Sequence, residues 1–447
     1  MVAYSVKCRT LGLAAVISLS VLALAGCSKK HVTAQEGPIA LGPYRATLKL
    51  PGGELPFGLE IARENDKYVA YLVNGAERVR VPDVTVAEGR IEMLMPGYEN
   101  KLSARIKNDS LKGELLLIKR DAKNQTIPFA AEHGLDYRFI EKPLTDNADL
   151  SGRWAVTFTP DSGKPYVAVG EFSQMHAEVT GTFLTGTGDH RFLAGDMHDN
   201  DFFLSTFDGA HAYLYKGHID GKGGITGTYW SGLASREQFA GKRDENATLG
   251  DAENATTMRA DADGLDFTFP DLDGKPVSMH DPRFAGKVVI VTLGGSWCPN
   301  CHDEAAFLGP YYLQNRGRGL EVVELMFEHF GDFAQAAEAS KRFRDSFSLQ
   351  YPMLIAGTSD KDDAAKRLPQ LNGVFAFPTT LFLDRKGRVR RIYTGFSGPG
   401  TGEHYQKLTE DFDATVEQLL AETDENVTDA PAEGHDEGHV EDKADGA

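Results

Sequence analysis

Two patterns of hydrophobic and polar positions divide the chain. From residue 37 to residue 242, short runs in which apolar and polar side chains alternate are separated by glycine-containing turns, which is typical of half-buried strands. From residue 262 to residue 420, apolar runs alternate with segments of helical periodicity, and strands separated by helices favour a sheet with crossover connections. The pattern predicts a multidomain chain: an all-β region, built as a barrel or a sandwich, followed by an α/β domain.

The all-β region is predicted to be a duplication. Three pairs of segments match: residues 42–47 with 152–157, residues 72–75 with 184–186, and residues 111–115 with 225–229. The offset between partners rises from 110 to 114 residues, as small loop insertions would produce. We therefore predict one β-rich repeat over residues 37–142 and a second over residues 143–242.

The remaining segments lack both patterns. Residues 1–26 combine two basic residues with an apolar run, which is typical of a signal peptide, and residues 27–36 are a polar tether. Residues 243–261 are polar and acidic and are predicted to be a linker. Residues 421–447 carry ten acidic residues and one lysine, a composition that cannot form a core and predicts a disordered tail.

The charge of the chain excludes one class of partner. The formal net charge is −18, without a stripe of basic residues. A protein that binds duplex nucleic acid needs clustered lysine and arginine to neutralise phosphates. We expect no nucleic-acid partner.

The candidate chemistry lies in the sequence Trp-Cys-Pro-Asn-Cys from Trp297 to Cys301, which follows an apolar strand-like run and precedes a predicted helix. Two cysteines at this spacing can form a small disulfide and reopen it as a dithiol. A cysteine at a helix N-terminus lies in a positive field that favours its thiolate. We expect Cys298, at the exposed start of the helix, to attack and Cys301 to resolve the mixed disulfide, with no cofactor and no metal.

The residues from Leu24 to Cys27, Leu-Ala-Gly-Cys, resemble the lipobox of bacterial lipoproteins. The resemblance implies cleavage before Cys27, lipidation of this cysteine and attachment to a membrane on its periplasmic side. Ser28 follows, and the absence of aspartate there resembles lipoproteins sent to the outer membrane rather than kept at the inner one. Cys298 and Cys301 would then be the only free thiols of the mature chain.

Residues 262–420 resemble the thioredoxin superfamily, and within it the TlpA-like periplasmic thiol-disulfide oxidoreductases. Three features carry the resemblance: the Trp-Cys-Pro-Asn-Cys motif after a buried strand, Glu304 three residues past the second cysteine, and the segment from Ala376 to Asp384 that contains Pro378.

The resemblance implies roles for individual residues. A cis bond before Pro378 would place the backbone of Phe377 and Pro378 beside the cysteines, where an extended substrate could pair with it. Trp297 would shield the sulfurs, and Glu304 would assist proton transfer to the buried thiol. Thr292 stands where ordinary thioredoxins carry a buried aspartate.

The resemblance also implies partners. The substrates would be disulfide-bearing periplasmic proteins, and an upstream thiol donor would restore the reduced pair, because the periplasm is kept oxidising. We expect reduction of partner disulfides, with oxidation as the less favoured direction.

Several alternatives remain open. The Cys-x-x-Cys-His pattern that ends at His302 is also that of covalent haem attachment, although here it stands between a strand and a helix. A thiol peroxidase is less favoured because Gly295 stands where peroxiredoxins carry threonine. Zinc binding would need a second pair of close ligands. The last alternative is a binding or scaffold lipoprotein whose β-rich region holds a ligand or partner.

Two further expectations concern histidines. His302 is expected at the surface, or as a cation that lowers the pKa of the nearby thiol. Asp189 and His190 in the β-rich region are interpreted as turn residues without a chemical role.

Overall fold

The structure, a computed structural model, describes residues 39–118, 124–250 and 255–422. The predicted signal peptide, the predicted lipidation site Cys27 and the tail beyond Glu422 lie outside the described residues. Within these ranges, no helix combines the length and the apolar character needed to cross a membrane. The described residues form two all-β units and one α/β domain.

The first β unit is an antiparallel meander of nine strands. They are β1 (Gly42–Leu50), β2 (Gly53–Glu64), β3 (Lys67–Asn74), β4 (Glu77–Val81), β5 (Asp83–Ala87), β6 (Arg90–Leu94), β7 (Lys101–Lys107), β8 (Ser110–Leu117) and β9 (Gln125–His133). The first strand pairs with the last, in the order β4-β3-β2-β1-β9-β8-β7-β6-β5. Alternate side chains, such as Leu48, Leu59 and Leu102, enter one apolar core, so the sheet curls into a barrel.

The second β unit is also an antiparallel meander of nine strands, and its sheet closes on itself. Its strands are β10 (Gly152–Pro160), β11 (Tyr166–Met175), β12 (Glu178–Thr185), β13 (Gly188–Asp189), β14 (Leu193–His198), β15 (Asp201–Phe207), β16 (Ala212–Ile219), β17 (Gly224–Ser231) and β18 (Ser235–Arg243). β10 pairs with β18, and pairing of β11 with β12 closes a ring of eight strands, with the short β13 beside β12. Fully buried aromatic rings fill its core, among them Trp154, Phe158 and Phe183.

Both units confirm the predicted all-β region and decide for barrels over a sandwich. The matched pairs of segments fall on β1 and β10, on β3 and β12, and on β8 and β17. Each pair occupies the same place in its meander. The predicted duplication therefore has a counterpart in the order of the strands.

A buried polar joint around Arg138 connects the two barrels. Its guanidinium donates to Asn74 Oδ1 in the first barrel (3.0 Å) and to the Ser205 carbonyl in the second (2.8 Å). The Ser205 hydroxyl donates to the Pro56 carbonyl at 2.5 Å. Phe207 of the second barrel packs into the core of the first.

The C-terminal domain is a mixed five-stranded sheet between helices, preceded by a hairpin. Its elements are β19 (Thr268–Pro270), β20 (Pro276–Ser278), β21 (Val288–Gly294), α1 (Pro299–Asn315), β22 (Leu320–Glu328), α2 (Phe333–Phe347), β23 (Met353–Thr358), α3 (Lys361–Arg367), β24 (Thr379–Leu383), β25 (Val389–Thr394) and α4 (Glu403–Ala421). The order is β23-β22-β21-β24-β25, with the first three strands parallel and β24 and β25 antiparallel. Alternate residues of β21 enter two separate cores, one on each face of the sheet. The α/β prediction is confirmed.

The segment predicted as a linker is docked on both neighbours. β18 continues to Arg243, and Ala247 and Leu249 pack against Val169 of the second barrel. On the other side of residues 251–254, which lie outside the described ranges, the Thr256 N–H donates to a side chain of β25. Although this segment is polar in composition, it therefore contains two apolar residues, Ala247 and Leu249, that fix it to the second barrel.

Phe158 tests the aromatic core of the second barrel. Its ring is fully buried and lies 5.1 Å from that of Phe183. We expect Phe158→Ala to lower the free energy of unfolding by about 3–5 kcal/mol, because a large cavity remains. Denaturation followed by near-ultraviolet circular dichroism measures this. Val167→Ala, on the paired strand with a 52% exposed side chain, is the control and should cost less than about 0.5 kcal/mol. Equal losses in the two variants would contradict the prediction.

Candidate active site

The two cysteines lie where β21 leads into α1. Cys298 is the N-cap of α1, and its Sγ accepts a hydrogen bond from the Cys301 backbone N–H at 3.3 Å. The Cys298 thiol donates to the Phe377 carbonyl at 3.3 Å, and both cysteines are free thiols. The helix end therefore directs a backbone N–H donor and the positive end of its dipole at this sulfur.

The expectation that Cys298 is exposed is wrong. Only 3% of Cys298 is accessible, and 1% of Cys301. That expectation took only the C-terminal domain into account, and not the packing of other domains on the start of α1. In the structure, side chains of the β-rich region also lie against the first turn of α1.

The residues expected to bind substrate lie beside Cys298. The peptide bond between Phe377 and Pro378 is cis, as the resemblance implied, and the Phe377 carbonyl contacts the sulfur. Trp297 Nε1 donates to the Phe327 carbonyl at 2.8 Å, and the indole meets the Phe377 ring edge-on at 5.8 Å. Phe377 and Pro378 are buried, and Trp297 is half-buried.

The position of Gly295 bears on the peroxidase alternative. A Cβ at this residue would lie 2.7 Å from the Phe327 carbonyl oxygen and closer still to Trp297 Nε1. A threonine here would therefore break the hydrogen bond that holds the indole. The site holds the Trp297 indole against the Phe327 carbonyl and has no room for the threonine of a peroxiredoxin.

Glu304 is buried on α1 and accepts two hydrogen bonds. Thr292 Oγ1 of β21 donates at 2.5 Å, and Thr380 Oγ1 of β24 also donates. Burial raises the pKa of Glu304 to about 7, although both hydrogen bonds lower it. Thr292, the residue that replaces the buried aspartate of ordinary thioredoxins, thus holds the carboxyl that can exchange a proton near neutral pH.

A second carboxyl, Glu324 of β22, lies near Cys301 and was not predicted. A Cβ on Gly294 would lie 3.2 Å from Glu324 Oε1 and 3.4 Å from Cys301 Sγ, so Gly294 separates the two groups. Burial raises the pKa of Glu324 well above its usual value, and the charge of Glu304 raises it further. An acidic residue inside the apolar run of β22 was the available sequence indication.

The pKa of Cys301 is raised well above its usual value. Burial is the largest cause, followed by the hydrogen bond and charge of Cys298 and the charge of Glu304. Cys301 therefore keeps its proton until a base removes it. This is the behaviour required of a resolving thiol that must wait for a mixed disulfide.

Glu328 fixes the loop that precedes the cysteines. It accepts hydrogen bonds from the Ser296 N–H at 2.9 Å and from the Ser296 hydroxyl at 2.8 Å. The Ser340 hydroxyl of α2 donates to the same carboxyl at 3.2 Å. The end of β22 and α2 thus set the entry of the chain into the motif.

His302 is neither at the surface nor a cation, so both expectations for it are wrong. The ring is stacked on Tyr98 of the first barrel with centroids 4.1 Å apart, and Nε2 lies 2.7 Å from the Ser296 carbonyl. Burial lowers the pKa of His302 to about 3, so the ring is neutral. The imidazole that a covalent haem would need as a ligand is therefore already engaged. Among the described residues, no group of three His, Cys, Asp or Glu side chains is arranged to hold a metal ion.

The second barrel contributes Asp189 and Arg191 to the site, and the sequence did not predict the contacts of either residue with α1. Asp189 accepts a hydrogen bond from Asn300 Nδ2 at 2.9 Å. Arg191 donates to the Pro299 carbonyl at 3.2 Å and to Asp303 at 2.8 Å. The interpretation of Asp189 as a turn residue without a role is wrong, because it contacts a residue between the two cysteines.

Comparison with known proteins agrees with this geometry. The model of the AhpC/TSA family matches residues 261–392, less than a third of the chain. The thiol-disulfide oxidoreductase ResA of Bacillus thuringiensis is 26% identical over 150 residues, which are 34% of this chain and 78% of the relative. That of Geobacillus thermodenitrificans is 26% identical over 140 residues, 31% of this chain and 72% of the relative. The C-terminal domain belongs to the thioredoxin superfamily.

Solved structures align with about a third of the chain at low overall scores. A thioredoxin-family thiol:disulfide interchange protein from Chlorobium tepidum covers 36% of this chain and 100% of its own, with 22% identity and a TM-score of 0.28. A putative thioredoxin from Neisseria meningitidis covers 36% and 95%, with 21% identity and a TM-score of 0.27. The family model and the ResA relatives confirm the predicted thioredoxin-like oxidoreductase domain.

Glu304→Gln tests proton transfer in the thioredoxin-superfamily domain. We expect the rate at which Cys301 resolves a mixed disulfide to fall by about 10²-fold, because an amide cannot take the proton. The wild-type rate should change with pH near 7, and this inflection should vanish in the variant. Stopped-flow release of a disulfide-bound chromophore measures both. Glu321→Gln, whose carboxyl pairs with Lys287 instead, is the control and should keep the inflection.

The same substitution should change the pH dependence of stability. The pKa of Glu304 rises from 4.5 to about 7 on folding, so the folded chain binds the extra proton between these values. The free energy of unfolding of the wild type should therefore fall as pH rises from 4.5 to 7, by up to about 3 kcal/mol from this group. Glu304→Gln should lack this part of the slope in urea denaturation. Parallel slopes in the two proteins would count against the assignment.

Proposed function

We propose that this chain is a lipid-anchored periplasmic thiol-disulfide oxidoreductase that reduces disulfides of partner proteins. The observation that carries the proposal is the free Cys298 thiol at the buried N-terminus of α1, beside cis-Pro378 and within the same site as Glu304. The names of the ResA relatives agree with the class of reaction.

The first half of the reaction uses Cys298. Its thiolate forms a bond to one sulfur of the substrate while the disulfide of the substrate breaks. The released substrate sulfur leaves as a thiolate and takes up a proton. The Cys301 N–H points at the attacking sulfur, and the backbone at Phe377 is placed to align an extended substrate.

The second half uses Cys301 and Glu304. Cys301 gives its proton to the Glu304 carboxylate, and the new thiolate attacks Cys298 Sγ. The mixed disulfide breaks, and the second partner sulfur leaves as a thiolate that takes up the proton from Glu304. The partner departs as a dithiol, and the chain keeps a Cys298–Cys301 disulfide. Two electrons have passed to the partner, so an upstream thiol donor must restore the dithiol before the next cycle.

The β-rich region offers little support for the ligand-binding alternative. The interior of the second barrel is filled by its own aromatic side chains, such as Phe158 and Tyr215. Its polar loop residues contact the thioredoxin-superfamily domain instead. These contacts favour a role of the second barrel at the cysteine site over the storage of a ligand.

Cys301→Ser should capture the substrate. The serine cannot resolve the mixed disulfide, so partner proteins should stay bound to Cys298 through a reducible bond. Non-reducing electrophoresis of cell extracts, followed by mass spectrometry, identifies them. Cys298→Ser is the matched control and should capture none. A Cys301→Ser variant that gives the same pattern as Cys298→Ser would sink the proposal.

Cys27→Ser tests the anchor. A lipidated cysteine would hold the mature chain on the membrane, whereas the serine variant should lose the lipid and leave the membrane fraction. Fractionation of cells and intact mass measurement check this, and separation of inner from outer membranes tests the expectation from Ser28. Ser28→Ala is the control and should remain anchored. Recovery of both variants in the membrane fraction would contradict lipidation at this residue.

A further inference from the structure

One loop of the second barrel lies against the loop that follows β25. We name residues Thr187–Phe192 the covering loop. A Cβ on Gly395 would lie 3.2 Å from the Thr187 carbonyl carbon, and one on Gly400 would lie 3.0 Å from that of Arg191. The two backbones are therefore in direct contact, without room for another chain between them.

Asp189 joins the covering loop to both sides of the site. Its Oδ2 accepts hydrogen bonds from Asn300 Nδ2 at 2.9 Å and from the Gly398 N–H at 2.8 Å. Its Oδ1 accepts from the Arg191 N–H at 2.7 Å, which fixes the turn of the loop itself. Asn300 stands between the two cysteines, so this carboxylate bridges the motif and the loop after β25.

Arg191 holds the covering loop through a buried ion cluster. Its guanidinium lies 2.8 Å from Asp303 of α1, 2.6 Å from Glu77 of the first barrel and 3.2 Å from Asp208 of the second. The side chain is only 7% exposed. A single cation thus links both barrels to the first turn of α1, and its loss would leave three carboxylates without their shared partner.

An aromatic side chain of the first barrel also reaches the cysteine motif. Tyr98 is stacked on His302 in the first turn of α1, with ring centroids 4.1 Å apart. This contact agrees with the 3% exposure of Cys298.

We propose that the covering loop is a specificity-determining element of the active site, which blocks Cys298 to bulky substrates unless a partner displaces Asp189 and Arg191. Cys298 would then exchange with partners that compete for these contacts, and not with every exposed disulfide. The inference rests on the proposed exchange reaction, but the access of reagents to Cys298 can be measured without catalytic turnover.

Asp303→Ala and Arg191→Gln release the covering loop from opposite sides. Asp303→Ala leaves the barrels and the pairing of Arg191 with Glu77 and Asp208 intact, so it tests the cover even if Arg191→Gln fails to fold. Arg236→Gln is the matched control, because it breaks an exposed ion pair with Asp161 in the same barrel.

The readout is labelling of Cys298 in the reduced full-length chain, followed by mass spectrometry of the peptide that contains it. Iodoacetamide serves as the small reagent, and a maleimide on a polyethylene glycol chain as the bulky one. We expect both releasing variants to accelerate the bulky reagent about tenfold or more relative to the small one, the factor expected from loss of a charge-assisted hydrogen bond. The control should match the wild type.

Reduction of insulin then separates the two proposals. Faster insulin reduction in the releasing variants, with the change in labelling, supports the covering loop as a specificity element. Unchanged labelling in folded Asp303→Ala, or equal acceleration of both reagents, overturns it. The labelling can also change as expected while neither the wild type nor any variant reduces a disulfide. In that case the covering loop still controls access to Cys298, and the proposed function is wrong.

Discussion

The buried N-terminus of α1 is the constraint on which the rest of the structure depends. A helix leaves its first N–H groups without partners, and burying such donors unpaired is costly. Here the sulfur of Cys298 accepts a hydrogen bond from the Cys301 N–H, so the group that satisfies the helix is also the proposed nucleophile. β21 delivers the cysteine to this point, and the chain entering β24 delivers the Phe377 carbonyl. The packing of two strands and a helix therefore converges on one sulfur atom.

Three buried carboxyls lie around this helix end, and they have a common electrostatic consequence. Burial raises the pKa of Glu304, Glu324 and Glu328. In their charged forms these groups would lose hydration and repel one another and a nearby thiolate. Burial therefore makes all three carboxyls bind protons more readily than exposed ones would. Strands buried on both faces normally carry apolar residues, so Glu324 and Glu328 on β22 are exceptions to this pattern.

The two barrels add further buried charged side chains next to the N-terminus of α1. Arg191 cannot be satisfied by the second barrel alone, since two of its three carboxylate partners, Glu77 and Asp303, belong to other parts of the fold. A buried guanidinium without these partners would be unfavourable, so the ion cluster favours the assembled arrangement over separated domains. The joint at Arg138 binds the barrels to each other in the same manner. Polar contacts at the domain junctions, rather than apolar area alone, specify how the parts fit.

The sequence by itself determined the fold classes and the position of the cysteine motif. Periodicity predicted the all-β region and the α/β domain, because the burial pattern of a helix or strand depends on its own residues. The spacing of Cys298 and Cys301 predicted the dithiol, and resemblance supplied the cis bond before Pro378. Only the tertiary structure decided that Cys298 is buried and that Arg191 reaches Asp303. These two residues are 112 positions apart, and no local pattern encodes a contact that exists only when separately folded parts dock.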